Sequence, residues 1–309
     1  MVQTNSVKQK IVIISGPTAV GKSNFAVNCA LKFNGEVISA DSMQIYKGMD
    51  IGTGKVTIEE MQGVTHHMLD IASPDERYSV GRYVQECVPI IDEILSRDKL
   101  PIIVGGTGLY INALINGMNF SDADRSDEVR DKWKLLASQN GIDYVYNHLC
   151  EIDSKSAEKI SRNDLKRIIR AIEIYEVTGK KKSEIASTSD CPYEYLLLIL
   201  NYDREALYAR INTRVDQMVK LGLESEVETL RKHKDCQSLQ AIGYKQFVDF
   251  FEGKYETIEQ TVEEIKKASR NYAKRQLTFL RGMNSNNKEW ITPQTLNIGY
   301  DLIEKFLMD

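Results

Sequence analysis

The feature that most constrains this fold is a glycine-rich segment near the N-terminus. Residues 16–23 read Gly-Pro-Thr-Ala-Val-Gly-Lys-Ser, directly after the apolar run Ile11–Ile14. This is the P-loop spacing G-x-x-x-x-G-K-S, preceded by a predicted buried strand and followed by a helical pattern. In such a loop, backbone N–H groups surround an oxyanion, a lysine adds positive charge and a serine can hold Mg²⁺. The segment predicts binding of a di- or triphosphate, and leaves open whether this is ATP, GTP or another compound.

Composition and cysteine usage narrow the class of protein. The 309 residues are 42% hydrophobic and 27% charged, as in an ordinary globular protein. We expect no membrane association, because no apolar run approaches the roughly 18–20 residues of a membrane span and no signal-peptide pattern opens the chain. The five cysteines are scattered and form no C-x-x-C. This cysteine pattern argues against a zinc site and a disulfide framework, and it favours a location in the reducing cytoplasm. We also expect a monomer.

Four short apolar segments read as buried strands, and helical patterns lie between them. The segments are Ile11–Ile14, Glu36–Ala40, Pro101–Val104 and Tyr195–Leu200. Residues 21–33 and 80–95 read as helices, the second with an apolar stripe of Val80, Val84, Val88, Ile91 and Leu95. This alternation predicts an α/β fold of the P-loop NTPase type, with a parallel sheet between helices.

The ends of three predicted strands carry polar or glycine-rich residues. They are Ser15–Thr18, Asp41-Ser42 and Gly105–Thr107. Ligands bind at the carboxyl ends of strands in such sheets, so we expect these segments to converge on one cleft.

Residues 119–194 differ from the rest of the chain. They are rich in charge and helical patterns and contain no convincing strand, and residues 183–192 read as a loop. We predict a helical insertion domain at 119–194 and a catalytic core formed by 1–118 and 195–309. After Asp203 the pattern is again helical, with a stripe of Leu207, Ile211, Val215 and Met218.

The residues expected at a nucleotide triphosphatase or GTPase site are missing. The run Ile102–Val104 ends in Gly-Gly-Thr where a Walker-B strand would end in Asp, and Asn201–Arg204 is not the guanine-reading Asn-Lys-x-Asp. The predicted strand Glu36–Ala40 does end in an acid, Asp41. That carboxylate is a candidate Mg²⁺ ligand or general base, and a helix cap is the alternative interpretation.

Two helical stretches concentrate basic residues despite the net charge of −4. Lys166 and Arg170 lie four apart, with Arg167 on a neighbouring turn. In residues 262–281, Lys266, Arg270 and Lys274 recur at steps of four and share a predicted face, with Tyr272 and Phe279 interleaved. Such faces fit a nucleic-acid backbone, although a solvated face balanced by glutamates is an equally common explanation.

Eight segments, taken in order, resemble the tRNA dimethylallyltransferase family over nearly the whole chain. They are Gly16–Ser23, Asp41–Tyr46, Gly52–Lys55, His66–Asp70, Gly105–Tyr110, Asn163–Glu173, Ala241–Gln246 and Arg270–Gln276. One departure is Gly54, where the family pattern has Ala. The zinc-finger extension of eukaryotic relatives is absent, which indicates the bacterial type. The pair His66-His67 receives no role, because adjacent strand residues face opposite ways and a packed pair fits better than a metal site.

The resemblance implies transfer of the dimethylallyl group of dimethylallyl diphosphate to N6 of adenosine 37, in tRNAs that read codons beginning with U. It implies Asp41 as general base and Thr107 as its helper. The implied diphosphate contacts are Gly16, Thr18, Ala19, Val20, Gly21, Lys22, Ser23 and Arg214, with Mg²⁺ on Ser23. The implied contacts to the tRNA anticodon stem-loop are Asp41, Ser42, Met43, Gln44, Lys166, Arg167, Arg170, Gly243, Tyr244, Lys245, Lys274, Arg275, Gln276 and Arg281.

Three alternatives stay open on the sequence. An adenylate isopentenyltransferase would use the same donor with free AMP as acceptor. A small-molecule kinase would use the same loop for ATP. A non-enzymatic RNA-binding module would tolerate loss of Asp41.

Overall fold

The computed structural model describes residues 8–117, 126–185, 191–285 and 287–309. The described residues form two compact units. Unit 1 is drawn from Met1–Ile115 and Cys191–Asp309, and unit 2 from Asn116–Asp190. The predicted boundaries at 119 and 194 lie a few residues from these limits. No helix in the described ranges has the length and apolar character that crossing a membrane requires.

Unit 1 contains a parallel sheet, which in the described residues has six strands. In chain order they are β1 (Lys10–Ser15), β2 (Gly35–Ser39), β3 (His66–His67), β4 (Leu100–Gly105), β5 (Glu194–Leu200) and β6 (Lys288–Ile291). Their spatial order is β3-β2-β4-β1-β5-β6. The predicted α/β class and parallel sheet are confirmed, and the four predicted strands correspond to β1, β2, β4 and β5.

The side chains of each central strand pack into two apolar cores, one on each face of the sheet. Ile11 and Ile13 pack into one core with Ile103, whereas Val12 and Ile14 point into the other. Successive side chains of a strand alternate between faces, so a continuous apolar run is what a strand covered on both faces requires. The edge strands β3 and β6 escaped prediction because they are short and lack such runs; Trp290 in β6 is 40% exposed.

Helices cover the sheet and build unit 2. In unit 1 they are α1 (Lys22–Lys32), α2 (Ile58–Met61), α3 (Val80–Ser96), α4 (Gly108–Ile115), α10 (Arg204–Lys220), α11 (Leu223–Leu230), α12 (Tyr244–Phe251), α13 (Ile258–Gly282) and α14 (Leu296–Met308). In unit 2 they are α5 (Asp127–Asn140), α6 (Ile142–Ile152), α7 (Ser154–Lys159), α8 (Leu165–Thr178) and α9 (Lys182–Ile185). Leu207, Ile211 and Val215 are buried along α10 as predicted.

The predicted stripe of α3 is partly confirmed: Ile91 is fully buried, and the other four residues pack against the same core. The fully buried residues are Tyr83, Cys87, Ile91 and Ile94, while the predicted valines are only partly buried beside them. A search for aliphatic residues at helical spacing overlooks Tyr83 and Cys87. Tyr83 is buried because it stacks on Tyr110, with ring centroids 4.1 Å apart. The aromatic pair moves the centre of the buried face.

Unit 2 has its own apolar core. Trp133, Val145, Leu149, Ile168 and Ile172 form the apolar cluster. The segment 183–192, predicted as a loop, in fact opens with helix α9, and residues 186–190 lie outside the described ranges.

The histidines of β3 have separate partners. His67 Nε2 lies 2.7 Å from an oxygen of buried Glu36, and His66 Nδ1 lies 2.9 Å from the carbonyl oxygen of Val64. Each imidazole ring therefore has a hydrogen-bond partner within this part of the sheet, and we assign neither histidine to the candidate active site.

Candidate active site

The glycine-rich loop connects β1 to α1 in a conformation that its sequence makes possible. Gly16 has φ +146°, and a Cβ there would lie 2.3 Å from the carbonyl oxygen of Leu200. Gly21, with φ +92°, precedes the first turn of α1. Ala19 also has a positive φ, 64°, and packs against Leu207 and Ile211 of α10. The loop is therefore fixed by backbone constraints and by packing before any ligand binds.

Lys22 lies within this loop and carries an altered pKa. Its Nζ donates a hydrogen bond to the carbonyl oxygen of Pro17 at 2.7 Å. Burial, and secondly the nearby charge of Arg214, lower the Lys22 pKa to about 8, while Asp41 partly opposes the change. Burial and a neighbouring cation destabilise the charged form of Lys22, so a bound anion would stabilise it.

Arg214 reaches the same region from α10. Its Nη2 donates to the carbonyl oxygen of Thr53 at 3.2 Å. Burial lowers the Arg214 pKa, and the charge of Asp41 opposes that shift. Gly54 makes room for the guanidinium, because a Cβ at that position would lie 1.8 Å from Arg214 Nη2. Gly54, where the family pattern has Ala, therefore lies directly against Arg214, a residue predicted to contact the diphosphate.

Asp41 follows β2 and caps a turn rather than a helix. Its Oδ1 accepts a hydrogen bond from the backbone N–H of Met43 at 2.9 Å, and residues 42–45 form a turn. The helix-cap alternative is therefore wrong, although one carboxylate oxygen is engaged by the turn. Asp41 is close enough to Lys22 and Arg214 for its charge to raise the pKa of both groups, against the effect of burial.

Thr107 locks the end of β4 onto the Asp41 turn. Its Oγ1 accepts from the N–H of Ser42 at 2.9 Å, and its own N–H donates to the carbonyl oxygen of Ala40 at 3.1 Å. Gly105 permits the close approach, because a Cβ there would lie 2.1 Å from that carbonyl oxygen. Thr107 consequently fixes the backbone that carries Asp41.

Gln44 ties the same turn to a second loop. Its Nε2 donates to the carbonyl oxygens of Thr53 and Gly54, at 3.4 and 3.2 Å. Arg214 uses one of these two carbonyls as well. The loop at residues 50–55 therefore touches both Gln44 and Arg214.

Two predicted tRNA contacts lie in the interior. Gln276 is 7% exposed, accepts from the N–H of Thr18 at 3.0 Å and donates to the carbonyl oxygen of Gly106 at 2.9 Å. Tyr244 is fully buried and donates its hydroxyl hydrogen to Glu226 at 2.6 Å. Their side chains hold loops together, which corrects the prediction that they face tRNA. Next to Tyr244, Gly243 is buried and Lys245 is exposed.

The cationic face of α13 is divided between interior and surface. Lys266 pairs with Asp216 at 2.9 Å and Arg270 donates to Asn212 at 2.7 Å, so both are engaged by α10. Of the tRNA contacts predicted on α13, Lys274, Arg275 and Arg281 are exposed. Phe279 is 41% exposed and lies over Gly108, where a Cβ would meet its ring at 2.4 Å. The prediction of one continuous basic face including Lys266 and Arg270 is wrong, because α10 covers that end.

In unit 2, α8 presents the other predicted tRNA contacts. Lys166 and Arg167 are exposed, and Arg167 lies 3.3 Å from Asp164. Arg170 instead pairs with buried Glu173 at 2.7 Å. Its guanidinium thus has a structural partner within unit 2.

Sequence reasoning missed two residues around the site. Tyr272 lies near Thr107 and Gln276; burial, with the charge of Asp41, raises its pKa to about 12. Tyr272 lies within the segment 270–276 that resembles the family, and this position could have identified it as a candidate site residue. Glu226 lies in an ordinary amphipathic helix, and its three backbone partners lie 174–176 residues earlier in the chain, so no local pattern identifies it.

Two family models match the chain. The model described as "IPP transferase" matches residues 44–283, and "Isopentenyl transferase" matches residues 9–76. The first spans well over half of the chain.

Named relatives are similar along nearly their whole length. The tRNA dimethylallyltransferase of Caldanaerobacter subterraneus is 51% identical, covering 88% of this chain and 89% of the relative. That of Halalkalibacterium halodurans is 44% identical, covering 96% and 95%.

Solved structures agree in fold. The full-length tRNA isopentenylpyrophosphate transferase of Bacillus halodurans has a TM-score of 0.72 and 42% identity, covering 96% of both chains. A eukaryotic dimethylallyltransferase acting on tRNA has a TM-score of 0.77 and 32% identity, covering 92% of this chain and 74% of the other. By these matches the chain belongs to the IPP transferase family, among the tRNA dimethylallyltransferases.

Proposed function

We propose that this protein transfers the dimethylallyl group from dimethylallyl diphosphate to N6 of adenosine 37 in tRNAs that read codons beginning with U. The products are N6-dimethylallyladenosine and diphosphate. The observation that carries the proposal is one carboxylate, Asp41, close enough to two partly buried cations, Lys22 and Arg214, to act on both electrostatically. Such a site suits an anionic leaving group next to a proton acceptor.

The loop of residues 16–23 with Arg214 forms the diphosphate subsite in this proposal. As the bond between the allylic carbon and oxygen breaks, the electron pair passes to the diphosphate oxygen. Lys22 and Arg214 then stabilise the charge that develops there. This use of the loop needs no Walker-B acid, because no nucleophile attacks phosphorus.

Asp41 is the general base of the reaction. The lone pair of adenine N6 forms the new bond to carbon, and a proton passes from N6 to the Asp41 carboxylate. The N–H of Met43 holds one oxygen of that group in place. Since N6 is a weak nucleophile, much of the rate must come from positioning, which the bonds of Thr107 to Ser42 and Ala40 support.

The oxygen donors present suit Mg²⁺. Ser23 is exposed on the first turn of α1, and Asp41 supplies a carboxylate. Over the described ranges, no cluster of three or more His, Cys, Asp or Glu side chains could hold a metal. Mg²⁺ commonly takes only one or two protein oxygens and completes its shell with phosphate and water. Ser23 would hold the ion, which would supply charge neutralisation on the diphosphate.

The acceptor is a tRNA anticodon stem-loop. Exposed Lys274, Arg275 and Arg281 on α13 offer phosphate contacts, and Lys166 and Arg167 on α8 offer more. Adenosine 37 must leave its stack to reach Asp41, so base flipping is part of the proposal. A free-AMP transferase would have no use for these exposed cations. A cytoplasmic monomer is the proposed state.

The decisive experiment offers labelled dimethylallyl diphosphate and Mg²⁺ to the protein with unmodified tRNA, with AMP, or with ATP alone. We expect label in tRNA only. Label in AMP but not tRNA, or ATP turnover without transfer, contradicts the proposal. Asp41→Ala should abolish transfer and keep tRNA affinity within a few-fold; a variant that retains catalysis removes Asp41 from the role of base.

A further inference from the structure

We propose that Glu226 is a positioning residue for the transfer reaction, acting through the loop at residues 50–55 on Arg214 and Gln44. This inference rests on the proposed function. Its basis is a carboxylate bound by three successive backbone N–H groups, on a helix that carries no predicted site residue.

The Glu226 carboxylate organises the start of the loop. It accepts hydrogen bonds from the N–H groups of Asp50, Ile51 and Gly52, at 3.0, 2.8 and 3.0 Å. Tyr244 donates a fourth, at 2.6 Å. Successive N–H groups that converge on one anion form a nest, and charge-assisted bonds of this kind are stronger than neutral ones.

Tyr244 holds the carboxylate and the loop at once. Its ring lies where a side chain at Gly52 would be, since a Cβ there would come within 2.4 Å of Cε2. Burial, and then the charge of Glu226, raise the Tyr244 pKa well above its usual value. The hydroxyl therefore stays protonated and donates to Glu226 at every pH at which the protein works.

The end of the loop carries the two contacts to the site. The carbonyl oxygen of Thr53 accepts from Arg214 Nη2 and from Gln44 Nε2, and that of Gly54 accepts from Gln44. Gly54 also leaves the space in which the guanidinium lies. Displacing the loop therefore moves a diphosphate ligand and a neighbour of Asp41 together.

A purely structural role for Glu226 predicts lost stability with unchanged site energetics. The positioning role predicts weaker diphosphate binding in a folded protein. The test variant is Glu226→Gln. Its amide has one acceptor oxygen, whereas the carboxylate uses two oxygens to bind the three N–H groups. Its matched control is Glu228→Gln on the same helix, since Glu228 pairs only with partly exposed Arg231 in the bonds described.

We expect Glu226→Gln to weaken inorganic pyrophosphate binding by about 10-fold or more in calorimetry and to lower kcat/KM for the donor by about 10–100-fold, since small misplacements of site groups have effects of this size. The KM for tRNA should match that of Glu228→Gln, and the variant should still unfold cooperatively above the assay temperature, so that lost binding does not come from lost folding. In an Arg214→Lys background the added loss of pyrophosphate affinity should nearly vanish, because the loop acts on the diphosphate subsite through Arg214.

Unchanged pyrophosphate affinity, or full additivity with Arg214→Lys, overturns the inference. If Glu226→Gln does not fold, Tyr244→Phe decides the matter: it keeps the ring and removes one bond, and should weaken pyrophosphate about 3–10-fold. A wild-type protein that binds pyrophosphate but transfers no dimethylallyl group contradicts the proposed function and leaves the binding test of Glu226 intact.

Discussion

The backbone N–H of Thr18 donates a hydrogen bond to Gln276 Oε1 at 3.0 Å, so the glycine-rich loop of residues 16–23 is attached to the helix with the exposed basic residues. The Nε2 of Gln276 donates to the carbonyl oxygen of Gly106 at 2.9 Å. A single buried amide thus joins the loops after β1 and β4 to α13. The Thr18 N–H is consequently engaged before any diphosphate arrives.

Replacing Gln276 with Glu should weaken the donor subsite. A carboxylate still accepts from Thr18 but cannot donate to Gly106, and it brings negative charge beside the loop. We expect roughly 10-fold weaker binding of pyrophosphate, measured by calorimetry without tRNA. The control is Asn271→Asp, the same chemical change at an exposed position of α13. Equal effects of the two variants would refute a specific role for Gln276.

The affinity for diphosphate should depend on pH through Lys22. With a pKa of about 8 in the free protein, Lys22 loses its charge as the pH rises through 8. A bound diphosphate favours the charged amine and raises that pKa, so binding at pH 8.5 should take up protons. Calorimetry in buffers of different ionisation enthalpy measures this uptake. Lys22→Met should abolish it, and a wild-type protein that takes up no protons contradicts the prediction.

Exchanging Lys274 and Arg275 for Gln should lower tRNA affinity and its salt dependence. Each lost phosphate contact removes roughly 0.7–0.9 from the slope of log K against log salt, so the double variant should lose about 1.5. Filter binding across a salt series measures the slope. Lys267→Gln on the same helix, where Lys267 pairs with Glu264 at 3.0 Å, is the control. A double variant with the wild-type slope would exclude these residues from the interface.

Glu36 should be a major determinant of stability. It is 1% exposed, and Arg97, Lys99 and His67 all bond to its carboxylate. Arg97 above all holds the Glu36 pKa well below its ordinary 4.5. The stabilisation is therefore fully present above pH 4.5 and is lost as the pH falls toward the lowered pKa.

Glu36→Gln should reduce the free energy of unfolding at pH 7 by about 2–3 kcal/mol, below the usual range for a broken buried pair because Arg97 remains partly solvated. Urea unfolding at pH 7 and pH 4 measures the loss, which should shrink at the lower pH. Glu93→Gln, whose exposed carboxylate lies 3.7 Å from Arg97, should cost far less. A larger deficit at pH 4 than at pH 7 would contradict the assigned sign.

The sequence by itself determined the central strands of the sheet and the path of the glycine-rich loop at residues 16–23. Runs such as Ile11–Ile14 need burial on both faces, and the spacing from Gly16 to Ser23 admits few backbone paths. Those signals are local, so they can be read without the fold. The edge strand β6 and the offset face of α3 could not be read, since what buries them comes from distant segments.

Only the tertiary structure decided which polar residues of the matched motifs face inward. Gln276 and Tyr244 lie in segments that resemble an RNA-binding family, yet both are buried and bonded to loops. Glu226 carries no motif at all and holds a loop 174–176 residues away in the chain. A hydrogen bond depends on where two backbones meet in space, and no local spacing encodes a partner that far along the chain.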